Sequence, residues 1–205
     1  MTQKIKAVIW DMGGVILRTV GKQSREALSL KYNISLDTLY DLVFNSESAE
    51  MATLGLIDEQ VHWQTIASTL GVPDGGIDEF REKFWEGDLI DTQLVEFIKS
   101  LNSVVKTGLL SNAWSGARDY FCQRVDCDQV FQYSIFSYEV GLKKPDKRIY
   151  EKILSVMKVE AAEAIFVDDF LENIECANEL GIHGIQFTTT DQAIDDVMTL
   201  LETKR

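Results

Sequence analysis

Proline is nearly missing from this sequence, with two residues in 205. No low-complexity tract or internal repeat is present either, so the chain reads as folded throughout. Cysteine is sparse as well. Cys122, Cys127 and Cys176 make an odd count with no tight CxxC pair. That pattern reads as free thiols in a reducing cytosol. His62 and His183 are the only histidines, and at these spacings the five residues do not make a zinc site. Long apolar runs are lacking too. The lysines of the first six residues precede only a short apolar stretch, too short for a signal-peptide core, and nothing approaches a membrane span. The expected location is cytoplasmic.

Positive charge is the remaining scarcity: 20 Lys and Arg face 33 Asp and Glu, a formal net charge of −13. Such a surface repels phosphate backbones and anionic lipids unless a basic patch overrides it. The densest basic group, Lys143, Lys144, Lys147 and Arg148, is too short to do so. Nucleic acid and membrane surfaces are therefore excluded as partners. What is present is a globular composition, 45% hydrophobic and 26% charged. The length allows one domain, or a core with a smaller insertion.

Short apolar runs end abruptly in polar residues or glycine. AVIW leads into Asp11, Met12, Gly13 and Gly14, and the run to Leu110 leads into Ser111 and Asn112. Residues 134–136, 164–167 and 184–187 behave alike, and all five read as buried strands. Helical periodicity predicts helices over 93–101, 115–125, 146–157, 172–180 and 191–201. Alternation of this kind predicts an α/β fold, a Rossmann-like parallel sheet covered on both faces. Ligands in such sheets bind beyond the carboxyl ends of the strands. Asp11, Ser111, Asp168 and Asp169 stand at those ends and should converge. Residues 17–92 differ: helices are predicted over 23–32, 36–44, 58–70 and 77–85, with no strand between them. A helical cap over 18–91 is thus expected, inserted into a core of 1–17 and 92–205, with hinges at 17–19 and 87–92.

Asp11, freed from the sheet by two glycines, can act as nucleophile or metal ligand, or merely cap a turn. Asp168 and Asp169 are adjacent acids that raise each other's pKa unless a cation neutralises them, and hard oxygens suit Mg²⁺. They could also begin a helix. Lys144, in a Lys-Pro turn, can pair with a nucleophile and a phosphoryl oxygen, or simply be solvated. Ser111 and Asn112 could offer a hydroxyl and backbone N–H groups to an anion. Trp114, just beyond them, is a candidate pocket wall.

In order, AVIWDMGGVIL, TGLLSNAW, GLKKPDKRIY and IFVDDFLENIECANELGIHGIQF resemble the four motifs of the haloacid-dehalogenase-like superfamily, over residues 5–187. The resemblance implies a small α-helical cap and an aspartyl-phosphate formed on Asp11. It implies Mg²⁺ held by Asp11, the Gly13 carbonyl and Asp169, with Asp168 as a direct or supporting partner. Ser111, Asn112 and Lys144 would bind the phosphoryl oxygens of a small phosphorylated substrate. Asn173 falls where many relatives place an acid that steadies the metal ligands. Among subgroups the chain looks most like bacterial sugar-phosphate phosphatases of the glucose-1-phosphate type, whose first motif reads DxG.

Gly13 is the departure. Most phosphatases of the superfamily read DxD, and the second Asp is the general acid and base, whose help is typically worth ~10²–10⁴-fold. Either the leaving group needs little protonation, as in an anomeric or acyl phosphate, or another group or water supplies the proton. Otherwise the site is a catalytically silent binding or regulatory one. A 2-haloacid dehalogenase would share the fold and the Asp nucleophile, but Asp168 and Asp169 argue against it. The expected substrate body is neutral, a sugar above all, because the cap offers few cations, Arg18, Lys22, Arg25 and Lys31 among them. Its contacts are expected from the helix over 58–70 and the loop near 18–22.

Overall fold

The computed structural model describes residues 4–73 and 75–203. The outermost residues of the expected core, 1–3 and 204–205, and with them the reading of the first residues as no signal peptide, lie outside the described residues. Five parallel strands form the main sheet in the order β5-β4-β1-β6-β7. They are β1 (Ala7–Trp10), β4 (Lys106–Ser111), β5 (Tyr133–Phe136), β6 (Ala164–Asp168) and β7 (His183–Gln186). All five coincide with the apolar runs of the sequence. A central strand must be apolar on both faces when helices cover both, and β1 is buried at every residue. Its alternate side chains enter different cores. Val8 and Trp10 join Leu109, Ile165 and Val167 on one face, and Ala7 and Ile9 join Leu110, Ala164 and Phe166 on the other.

The connecting helices are α6 (Thr92–Leu101), α7 (Ala117–Cys122), α8 (Cys127–Val130), α9 (Ser137–Val140), α10 (Lys147–Met157), α11 (Leu171–Glu179) and α12 (Thr190–Thr203). The helix expected over 115–125 is shorter than the periodicity suggests, because α7 ends at Cys122 and the chain turns before α8. That turn corrects the reading of the cysteines. Cys122 and Cys127 are joined by a disulfide, with Cα atoms 5.1 Å apart, and only Cys176 is a free thiol. The free-thiol argument for a reducing compartment therefore falls. No described helix is long and apolar enough to cross a membrane.

Between β1 and α6 the chain builds α1 (Gln23–Lys31), α2 (Leu36–Tyr40), a single π-helical turn over Asp41–Asn45, α3 (Glu47–Thr53), α4 (Glu59–Leu70) and α5 (Ile77–Trp85). Ser35 caps α2 by accepting from Thr38 N, Asp58 caps α4 by accepting from Gln60 N, and Gly71 closes α4 in the left-handed conformation. They fix two of the predicted helix starts and one predicted end. Helix α3 has no counterpart among the predicted helices. Among the described residues no strand lies between these helices, as expected; β2 (Leu17–Thr19) and β3 (Asp88–Ile90) flank them and pair antiparallel where the two hinges were expected. Arg18 pairs with Asp91 and lies over the Phe187 ring, 5.2 Å from its centroid, which ties this ribbon to the loop after β7. Arg25, 3% exposed, donates to the Phe84 carbonyl at 2.8 Å and to Asp88 at 2.6 Å.

The inserted helices meet the sheet at its carboxyl edge. Ser115, in the loop after β4, accepts from Glu59 N at 3.0 Å and donates to Asp58 at 2.8 Å. Ser137 donates to the Thr53 carbonyl at 2.7 Å, and Lys143 pairs with Glu50.

Candidate active site

Strand β1 is hydrogen-bonded to β4 on one side and β6 on the other, with Trp10 opposite Leu109 and Val167. Residues that end these strands must therefore lie on neighbouring tracks about 4.8 Å apart. Asp11 follows β1, Ser111 ends β4 and Asp168 ends β6, so the convergence inferred from the sequence is realised. Lys144 reaches the same point from the turn after α9. Its ammonium lies 2.6 Å from Asp11 Oδ1 and 2.6 Å from Asp168 Oδ2, and it is 3% exposed.

Local bonds hold each group in place. Asp11 N donates to the Val167 carbonyl at 2.9 Å. Asp168 accepts from Phe170 N at 2.8 Å and from Asn173 Nδ2 at 3.0 and 3.1 Å on its two oxygens. Tyr150 fixes that segment in turn by donating to the Asn173 carbonyl at 3.1 Å. With Lys144 added, the acceptor sites of Asp168 are largely filled. Asp169 differs: its Oδ1 is buried with no hydrogen-bond partner among the described residues. A buried unpartnered carboxylate oxygen is costly unless a ligand takes it. Gly14 lets that carboxylate approach the loop after β1. It has φ +80°, and a Cβ built there would stand 2.2 Å from Asp169 Oδ2.

Oxygens of Asp11, Asp168 and Asp169 lie within 4.8 Å of one another. One ammonium cannot neutralise three carboxylates. Burial raises Asp11 to about 7, with Asp168 and Asp169 adding to the rise and Lys144 opposing it. Burial and the neighbouring Asp168 raise Asp169 to about 6. For Lys144, burial favours the neutral amine, but the charges of Asp11 and Asp168 outweigh it and hold the group charged. The donor set is hard and oxygen-rich, carries net negative charge, and includes an orphaned oxygen. It fits Mg²⁺.

Ser111 is buried, and its hydroxyl makes only a 3.5 Å approach to the Asn112 carbonyl, which leaves it able to donate to an anion. Asn112 has a task the sequence did not reveal. Its side chain accepts from Lys144 N at 2.8 Å and donates to the Lys144 carbonyl at 2.9 Å, so it clamps the lysine turn. Trp114 is no isolated wall. Its indole donates to Thr53 Oγ1 at 3.1 Å and its ring packs among the aromatic side chains of the inserted helices. Gly13 is exposed, and a Cβ built there meets nothing within 4 Å. Of the cap cations, Arg18 and Arg25 are held by Asp91 and Asp88.

A cavity of about 440 Å³ lies between α4 and α5 and is lined by Asp58, Glu59, Trp63, Asp78 and Arg81 among others. It contains none of the converging groups and is not the catalytic centre.

One family description, haloacid dehalogenase-like hydrolase, matches residues 5–181. The sesquiterpene phosphatase astK of Aspergillus oryzae is 28% identical over 215 residues, covering 100% of this chain and 98% of that protein. The bifunctional epoxide hydrolase 2 of Rattus norvegicus is 24% identical over 94% of this chain, which spans 38% of that longer protein. In fold, the chain is similar to a HAD family enzyme of Bacteroides thetaiotaomicron solved with magnesium and inorganic phosphate. The TM-score is 0.75 at 22% identity, covering 90% of this chain and 94% of that one.

Proposed function

The chain belongs to the haloacid dehalogenase-like hydrolase family, and from that premise we propose that it is a Mg²⁺-dependent phosphatase acting through Asp11 on a small phosphorylated metabolite. The observation that carries the reading is the buried Lys144 ammonium bridging Asp11 and Asp168, beside the unpartnered oxygen of Asp169. A relative of matching length named as a phosphatase supports it. In this reading residues 18–91 are a cap and the remainder the catalytic core.

Asp11, the Gly13 carbonyl and Asp169 would hold Mg²⁺, with Asp168 as the group that fixes Lys144. When bound, the ion supplies charge neutralisation between a carboxylate nucleophile and phosphoryl oxygens of like charge. Asp11 attacks phosphorus, the bond from phosphorus to the leaving oxygen breaks, and an aspartyl-phosphate forms. Water then attacks that phosphorus, releasing inorganic phosphate and restoring the carboxylate. One hard displacement becomes two easier ones. Lys144 and the Ser111 hydroxyl bind phosphoryl oxygens, and Lys144 also keeps Asp11 ionised. Asn112 and Asn173 position Lys144 and Asp168 through the bonds described above.

No carboxylate stands at Gly13 to protonate a leaving alkoxide, so a low-pKa leaving group, as in an anomeric or acyl phosphate, is favoured. An uncharged body is favoured, because Arg18, Arg25, Arg81 and Lys83 are already paired with acids. A sugar satisfies that requirement, and so does any other neutral group.

The test is phosphate release from sugar phosphates, acyl phosphates and p-nitrophenyl phosphate, with Mg²⁺, with chelator, and in Asp11→Asn. Metal-dependent release that vanishes in the variant is expected. Absence of release from every substrate, in protein that still binds Mg²⁺, favours a silent binding protein instead.

A further inference from the structure

The carboxylate cluster determines where phosphorus reacts and leaves open what carries it. Phe44, Trp85 and Trp114 make a closed triangle of rings that the mechanism does not use. Centroids are 5.9 Å apart for Phe44 and Trp85, 6.1 Å for Phe44 and Trp114, and 6.2 Å for Trp85 and Trp114. Two rings come from the inserted helices, and the third comes from the loop three residues past Ser111. Phe44 is 43% exposed and both indoles are half-buried. The inserted helices have a buried core of their own in Leu39, Val43, Trp63, Ile66, Phe80 and Phe84. Trp85 and Trp114 pack partly against that core, and the exposed remainder of the triangle keeps apolar surface in water that folding has not used.

Polar groups around these rings are already engaged. The Trp114 indole N–H donates to Thr53 Oγ1, which donates in turn to the Ala49 carbonyl at 2.8 Å. His62, with its ring 4.6 Å from Trp114, is buried and bonded through Nδ1 to Ser48 and through Nε2 to the Val43 carbonyl. Tyr40 stacks on Phe44 at 6.0 Å, and its hydroxyl takes a bond from Arg25. A hydroxyl-rich body needs donors and acceptors to orient it. This wall presents carbon.

Three residues of chain span at most about 11 Å. A phosphoryl group held at Ser111 therefore places a medium-length alkyl chain or a fused ring pair within reach of Trp114.

We propose that Phe44, Trp85 and Trp114 bind the body of the substrate, and that this body is apolar or flat and aromatic rather than a sugar. The proposal rests on the phosphatase reading above, and its test separates the two. Straight-chain acyl phosphates from acetyl to decanoyl keep nearly the same leaving group, so their rates differ through the body alone. With Mg²⁺ present, kcat/KM is expected to climb along the series by up to about fourfold for each methylene that reaches the rings. Decanoyl phosphate should also exceed glucose 1-phosphate. Phe44→Ala is expected to cut the decanoyl-to-acetyl ratio about tenfold, Phe44→Leu to restore most of it, and Phe44→Ser to restore none. A flat series, or a preference for glucose 1-phosphate, with acetyl phosphate still hydrolysed, overturns the apolar site and leaves the phosphatase standing. No release from acetyl phosphate or any other member overturns the phosphatase reading, and this proposal with it.

Discussion

At Gly13 the backbone is unstrained and a Cβ would enter open space, so the position can accept a carboxylate. Gly13→Asp is expected to raise kcat on alkyl phosphates, whose leaving alkoxide needs a proton, by about tenfold to a hundredfold, toward the usual worth of a general acid. Acetyl phosphate, whose leaving carboxylate needs none, should gain far less. The check is the dependence of rate on leaving-group pKa, which should flatten in the variant; an unchanged dependence would count against a missing acid as the cause. Single residues were legible where local pattern forces their surroundings. Asp11, Ser111 and Asp168 each follow a run too apolar to be anything but a buried strand, so their place at the sheet edge could be read directly. Asn112 could not be read this way. Its clamp on Lys144 joins positions 32 apart in sequence, and only the packing of the loop after β4 against the turn after α9 brings them together.

Elements follow the same logic. The inner strands β1, β4 and β6 are visible in the sequence because both their faces are buried, and the outer strands β5 and β7, which are partly open, show only as shorter apolar runs. The β2–β3 ribbon is not visible, because three half-exposed or exposed residues such as Leu17, Arg18 and Thr19 carry no alternation to detect. The helix expected over 36–44 ends as a π-helical turn over Asp41–Asn45, and α3 was hidden because its polar residues break the 3.6-residue period. The disulfide was hidden for a related reason. Reading one helix across 115–125 erases the chain reversal that brings Cys127 back to Cys122. Closing so short a loop restricts the unfolded chain modestly, by about 2 kcal/mol. Cys122→Ser is therefore expected to lower stability by about that amount in non-reducing buffer and by nothing measurable with excess reductant. Equal losses in both buffers would mean that the serine disturbs packing near Phe121 rather than removing a cross-link.

For the molecule as a whole, the sheet edge that carries Asp11, Asp168 and Asp169 stores electrostatic strain that a bound cation would relieve. Asp11 and Asp169 are held above their ordinary value of 3.8, at about 7 and about 6. Between pH 4 and 7 the folded, metal-free protein therefore binds more protons than the unfolded chain, and its stability falls as pH rises. Acids held low by hydrogen bonds, such as Asp58 and Asp146, act mainly below pH 5, and His62, held below its ordinary 6.5 by burial, opposes the trend with one proton against two. In chelator, Tm is expected to drop from pH 5 to 7.5, and the gain from added Mg²⁺ to be largest at the upper end, where both carboxylates are ionised. A flat or rising Tm in chelator would contradict the assignment of strain to these acids. The central claim is that phosphorus passes through a covalent bond to Asp11. It is tested most directly by acid-quenching the protein during turnover of acetyl phosphate with Mg²⁺ and weighing the peptide that carries Asp11. That peptide is expected to gain the mass of one phosphoryl group in the native chain and none in Asp11→Asn. Phosphate release with that peptide unmodified, or with the phosphoryl group on another residue, would contradict the claim.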